Sequence, residues 1–345
     1  KSLPTPFRHL GFFPEQSSPQ ILNPLNGLVV TSNNKLTDAP FPNHGAFSWG
    51  DSQRIQRLSR LLSERKVHTQ KSFIEMQLDS VSYSARTLLP LVGADLFFTE
   101  QSGAIGTQAD NRRTAMSLLA NWNGDMDEYR AEPLIYAAWM RALQERLIRD
   151  EIGQLADAFI HVKTLFIERV FRDVDGASIW CDIVQSAVKE SCSDIASIAL
   201  DDAIIWLSER YETSLSDLRW GDAHKAVHIH ETVGDVPILK YFVNIEQPTG
   251  GGDQTVQRGR TKGTGPDPFL NVHSAGYRGV YDFSDPDSSV FVMSTGQSGH
   301  PLSRYYDDLG QLWRRGEYWR MSLDKSLIRS GAIGTTKLLP KPASD

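Results

Sequence analysis

The sequence predicts an α+β fold in which a large helical section lies between two segments of loops and short strands. Three observations predict it. Apolar residues recur at helical spacing across 51–212. Residues 1–48 are punctuated by Pro, Asn and Gly. After position 225 Pro and Gly become frequent again, around short β-branched runs. Loop, then helices, then strands is the order of an α+β chain rather than of alternating α/β units. We read one organisation over 1–345, with 1–50 a loop and strand entry, 51–225 mainly helical, and 226–345 strands and a tail. Strands from the two ends are expected to meet in one sheet.

The elements follow in order. The run 27–32, Gly-Leu-Val-Val-Thr-Ser, lies between the turn signals LNPLNG and APFPNHG and reads as a strand ending at Asn33-Asn34. Ile55, Leu58, Leu61 and Leu62 mark a first helix. Thr69 is an N-cap for a second, with Phe73, Met76, Val81, Ala85 and Leu88 on one face. Helical patterns continue through 112–121, 131–149 and 153–171, and another runs near Ile195–Tyr211. Val280–Phe283 and Ser289–Met293 read as strands of a hairpin turned by Asp285-Pro286-Asp287. Trp313 and Glu317–Trp319 suggest a final helix or a packed tail.

Composition narrows the function classes. With Lys+Arg 36 against Asp+Glu 42, the net charge of −6 argues against nucleic-acid binding, which shows a basic excess. There is no 18-residue apolar run for a helix to span a bilayer, so no membrane partner is expected. Hydrophobic residues at 40% and charged residues at 23% exclude collagen-like and disordered classes. The chain starts KSLPTPFRHLGFF, with neither initiator Met nor signal-like apolar stretch, and reads as cut within a longer polypeptide.

Several residues invite a chemical reading. Cys181 and Cys192 are either two separate buried thiols or a disulfide closing a small loop, the latter requiring an oxidising compartment. His224, His228 and His230 form HxxxHxH. The first two could share a helix face and hold a metal, but no HExxH is present, and structural or surface histidines are the better reading. Gly296-Gln297-Ser298-Gly299-His300 resembles a nucleophile elbow, yet its fifth residue is His and Pro301 follows, so a glycine turn fits better. Gly250-Gly251-Gly252-Asp253 lacks the GK[ST] of a phosphate loop and reads as a place where backbone passes closely. Trp49, Trp122, Trp220 and Trp313 read as core anchors. Asn33, at a strand end, has an amide able to donate to an oxyanion, though a turn role is the better reading of the residue alone.

An ordered set of segments changes that balance. NPLNGLVVTSNNKL at 23–36, FSWGDSQRIQRLSRLL at 47–62, MQLDSVSYSARTLLPLV at 76–92, LLANWNG at 118–124, WCDIVQSAVKESC at 180–192, RWGDAH at 219–224, GGGDQTV at 250–256 and the tail 274–321 resemble the penicillin amidase (acylase) family of N-terminal-nucleophile hydrolases. The resemblance covers nearly the whole chain. It implies part of a four-layer αββα fold, from exported precursors that cleave themselves into a small α chain and a large β chain. It implies hydrolysis of small-molecule amides, such as penicillins, cephalosporins and acyl-homoserine lactones. The nucleophile would be a Ser at the β-chain N-terminus, activated by its own α-amino group.

Residue by residue, the resemblance makes Asn33 the oxyanion Asn and Arg54 the active-site Arg that orients the site or contacts substrate. Asn43 lies near where some members place a calcium-binding Asp; a neutral amide is a weaker ligand, so calcium is possible but no cofactor is required. Ser298 is not the family nucleophile. Cys181 and Cys192 would be disulfide-bonded, in keeping with a periplasmic or secreted protein. The family nucleophile lies far upstream of the oxyanion Asn, whereas only 32 residues precede Asn33. This chain therefore reads as the C-terminal portion of a β chain, inactive alone and partnered by the upstream part of its precursor. The alternatives are a fragment acting as a non-catalytic binding or structural module, and a metal enzyme using the histidines.

Overall fold

A computed structural model describes residues 12, 14–40, 44–98, 104 and 106–340. Seven helices form the central section: α1 (Gln53–Ser63), α2 (Gln70–Gln77), α3 (Tyr83–Val92), α4 (Gln108–Ala120), α5 (Glu132–Ile152), α6 (Thr164–Phe171) and α7 (Cys192–Tyr211). Thr69 caps α2 as expected. Its hydroxyl accepts from the Ser72 N–H at 3.2 Å, and the Ser72 hydroxyl accepts from the Thr69 N–H at 2.9 Å. The helix does not run on to Leu88. The Ser82 N–H donates to Gly124 O at 2.8 Å, and the Met126 N–H to Ser80 O at 3.0 Å. Pairing with residues 124–126 thus diverts the backbone, and α3 starts afresh with the Ser82 hydroxyl accepting from Ala85 N–H.

The expected helix over 153–171 is likewise divided. Gly153, at φ +55°, ends α5; a short 3-10 turn follows at Gly153–Ala158, and α6 begins only at Thr164. The buried Gln144 side chain serves the interrupted backbone, donating to Phe159 O at 3.2 Å and accepting from Lys163 N–H at 3.3 Å.

Beyond α8 (Trp220–Ala223) come β1 (Lys225–His228), α9 (Lys240–Val243), β2 (Ile245–Pro248), β3 (Gly259–Thr261), β4 (Asn271–Ser274), β5 (Tyr277–Val280), β6 (Val290–Met293), α10 (Gly310–Arg315), β7 (Trp319–Arg320) and α11 (Lys325–Gly331). Two sheets result, ordered β2-β1-β4-β3 and β5-β6-β7. Only the β1/β4 pair is parallel. The hairpin around Asp285-Pro286-Asp287 forms, with its first strand three residues earlier than expected. The run 27–32 is not a strand, and among the described residues no strand from the N-terminal segment joins either sheet. A ladder needs free backbone groups. Those of Ser32 are instead taken by side chains, its N–H by the Asn34 carbonyl oxygen at 3.0 Å and its C=O by Arg54 at 2.6 Å.

The main core joins α3, α4, α5 and α7, with Leu88, Leu119, Leu134, Trp139, Leu143 and Leu200 almost wholly buried. Each such side chain contributes about 1.5–3 kcal/mol by leaving water. Trp139 also satisfies its indole N–H on Ala196 O at 2.9 Å, tying α5 to α7. A smaller core of Ala226, Val292, Leu309 and Trp313 lies between the sheets. Trp122, Trp220 and Trp313 are buried as expected; Trp49 is not. Gln77 links helices to the second sheet, donating to Gly279 O at 2.9 Å and accepting from the Tyr318 hydroxyl at 2.7 Å. Among the described residues, no helix is long and apolar enough to cross a membrane.

Candidate functional site

Asn33 and Arg54, 21 positions apart, meet in the lining of a cavity of about 650 Å³. Its walls are apolar where Leu36, Trp49, Leu58 and Val256 line it and polar at Ser32, Asn33 and Arg54. That mixture suits a small organic ligand, for which sites run from about 300 to 1,000 Å³.

Local chemistry fixes Asn33. Its φ of +67° lies in the left-handed region, which Asn tolerates better than most residues. The Gly50 N–H donates to Asn33 O at 2.9 Å, and a Cβ at Gly50 would sit 2.8 Å from that same oxygen, so only glycine allows this approach. Arg54, in the first turn of α1, donates from one Nη to both Ser32 O (2.6 Å) and Asn33 Oδ1 (2.9 Å). A guanidinium can only donate, so it must face the amide oxygen. The Asn33 NH₂ is then turned away from Arg54 and has no partner among the described residues. Asn34 differs: its amide oxygen accepts from Ser32 N–H and its NH₂ donates to Lys35 O, so the backbone engages both ends of that amide.

Burial lowers the Arg54 guanidinium from its ordinary value, as does the nearby Arg258, while Asp51 opposes both. The loop carrying Val256 is moored to the helices. Gln254 donates to the Asp51 carboxylate at 2.9 Å, at the head of α1. Asp253 accepts from the Thr261 hydroxyl at 2.6 Å and pairs with His161 at 3.2 Å. Burial disfavours the Asp253 charge most strongly, but His161 and Thr261 outweigh it and hold the carboxyl below its usual range. Gly251, at φ +77°, lets this loop close, since a Cβ there would fall 1.9 Å from Gln257 O. The triple glycine is thus a close-approach turn.

The other candidates do not converge here. His224 ends α8, stacked on Trp220 at 4.5 Å, with Nδ1 2.9 Å from Phe269 O; complete burial pushes its pKa down to about 4. His228 lies on β1, also lowered by burial, and His230 reaches Gly299 O at 3.2 Å. The supposed shared helix face is absent because α8 ends at Ala223 and the chain turns to a strand. Among the described residues no three His, Cys, Asp or Glu side chains come together as a metal site would require. The Ser298 hydroxyl accepts from the His300 backbone N–H at 3.1 Å, and no helix follows directly. Cys181 and Cys192 form a disulfide across the loop between α6 and α7, their Cα atoms 5.0 Å apart. Asn43 lies outside the described residues.

Sequence reasoning placed Asn33 and Arg54 but missed the walls and moorings around them. Trp49 and Gly50 carried a signal, lying within the segment FSWGDSQRI that bears the resemblance. The His161–Asp253–Thr261 contacts carried none, since residues 92 and 100 positions from His161 meet only through the fold.

The profile of the penicillin amidase family matches residues 5–330. Penicillin acylase 2 proenzyme of Pseudomonas sp. (strain SE83) is 26% identical over 96% of this chain and 41% of its own length. Acyl-homoserine lactone acylase QuiP of Pseudomonas aeruginosa is 23% identical over 87% of this chain and 38% of its own. The chain therefore spans about two fifths of the length of these relatives. In structure it resembles a thermostable penicillin G acylase from Alcaligenes faecalis, with a TM-score of 0.62 at 15% identity, covering 97% of this chain and 61% of that one.

Proposed function

The chain belongs to the penicillin amidase family, and on that premise we propose that it supplies the oxyanion side of an amidohydrolase whose nucleophile lies on another segment of a longer precursor. The substrate is an acyl amide, a β-lactam side chain or an acyl-homoserine lactone, these being what the relatives' names describe. An N-terminal Ser hydroxyl, deprotonated by its own α-amino group, attacks the amide carbonyl. The tetrahedral oxyanion accepts a hydrogen bond from the Asn33 NH₂. The amine leaves with a proton, and water then hydrolyses the acyl ester. By itself this chain hydrolyses nothing. The assembled enzyme takes the four-layer αββα arrangement and is exported to the periplasm or beyond, where the Cys181–Cys192 bond persists. No cofactor enters this chemistry; calcium, bound near Asn43, would be structural.

One observation carries the reading. Arg54 pins the Asn33 amide by its oxygen and leaves its NH₂, in the cavity lining, without a partner among the described residues. The test is Asn33→Ala in the full-length, matured protein, assayed over a panel of acyl amides. Loss of one oxyanion donor lowers kcat by about 10²–10³ while KM changes little. An unchanged kcat would remove Asn33 from the oxyanion site.

A further inference from the structure

A second cavity, of about 630 Å³, opens between α5 and α7, lined by neither Asn33 nor Arg54. Its floor is apolar: Ala138 and Ala142 of α5, Ala203 and Trp206 of α7, and Phe269. Ala138 and Ala142 lie one turn apart on the same helix face, with Ala203 on the facing helix, so the space stays open because three methyl groups stand where larger side chains would close it. Trp206 and Phe269 pack edge to face at 5.6 Å and give one end a rigid aromatic wall.

The rim is charged, and nearly every charge is already engaged. Arg146 grips Asp202 through two bonds of 2.6 and 2.9 Å. Arg149 is held by Glu145 at 2.6 Å and Asp157 at 2.8 Å. Asp150 accepts from Val184 N–H at 3.0 Å through one carboxylate oxygen, while its other oxygen is buried without a partner among the described residues. Among the rim cations, Arg141 stands apart. Among the described residues its one ion pair is a 4.0 Å approach to Glu145, a carboxylate that Arg149 holds far more closely, and its Nε is buried without a partner. A half-engaged guanidinium over an apolar floor is complementary to a carboxylate with a hydrocarbon body, because a charge-assisted pair there replaces a weak one.

We propose that this groove is a binding site for a small amphipathic carboxylate, its hydrocarbon on the alanine floor against Trp206 and its carboxylate on Arg141. The inference rests on the α5/α7 geometry and is independent of the amidase reading.

The test is calorimetric titration of the purified protein with octanoate and with octanamide, its neutral analogue. Octanoate binds about tenfold or more tightly, the worth of one ionic contact. Arg141→Gln removes that preference and leaves octanamide binding intact. Ala203→Phe fills the floor and abolishes both, with unchanged circular dichroism; should Phe unfold α7, Ala142→Leu blocks the same space from the half-buried side. Equal binding of the two probes, a preference that survives Arg141→Gln, binding that survives a filled floor, or no saturable binding would each overturn the proposal. So would a full-length protein in which another segment occupies the groove and octanoate no longer binds.

Discussion

If Arg54 acts by holding Asn33, then removing both costs no more than removing Asn33. The perturbation is a double-mutant cycle of Arg54→Met and Asn33→Ala in the full-length enzyme. One Arg54 Nη donates to Asn33 Oδ1 at 2.9 Å and to Ser32 O at 2.6 Å. A hydrogen bond from a charged donor is worth about 1.5–3 kcal/mol. At 1.36 kcal/mol per decade, a freed amide costs about 10- to 150-fold in kcat. Asn33→Ala costs about 10²–10³. The double variant then falls with Asn33→Ala alone, giving a coupling energy of about 1.5–3 kcal/mol, the size expected for residues in one network. Arg54→Lys does not rescue fully, since an ammonium cannot reproduce the planar fork. Steady-state kcat on a good acyl amide is the assay. Additive losses would refute the positioning argument and show that Arg54 meets the substrate directly.

Two further outcomes follow from the scaffold. His224 titrates at about 4 in the fold against 6.5 in the unfolded chain, because it is wholly buried. The folded pKa is the lower, so the stability this neutral imidazole supports is complete above about pH 6.5 and declines as pH falls to about 4, where the unfolded chain takes a proton that the fold refuses. Urea unfolding between pH 7 and 4.5 shows a loss on the order of 2 kcal/mol, and a flat profile would contradict it. The Cys181–Cys192 bond closes a loop of 11 positions, which in the chain-entropy model stabilises by about 3 kcal/mol. The double Ser variant melts correspondingly lower, and an unchanged denaturation midpoint would show that the link constrains nothing in the unfolded chain.

How much of this was legible in the sequence depends on the range over which each signal acts. Thr69, Ser72 and the apolar spacing in α1, α2 and α5 act within a turn or two of helix, and α1, α5 and the start of α2 appear where these signals put them. The run 27–32 has the composition of a strand, but strandedness requires a neighbour, and the backbone groups of Ser32 at its end are taken by Asn34 and Arg54. The same capture that spoils the strand builds the site. Arg54 reaches Ser32 O and Asn33 Oδ1 with one nitrogen, so the departure from β structure and the fixed amide are one arrangement. The breaks after Gln77 and Gly153 follow the same logic, since residues 124–126 and Gln144 take backbone groups that a longer helix would have used. Asn33 drew notice at the end of an expected strand, but only the ordered motifs weighted it above a turn residue, because nothing local separates it from Asn34. The structure separates them by one test: which NH₂ is left wholly uncommitted, among the described residues, once the backbone has been served.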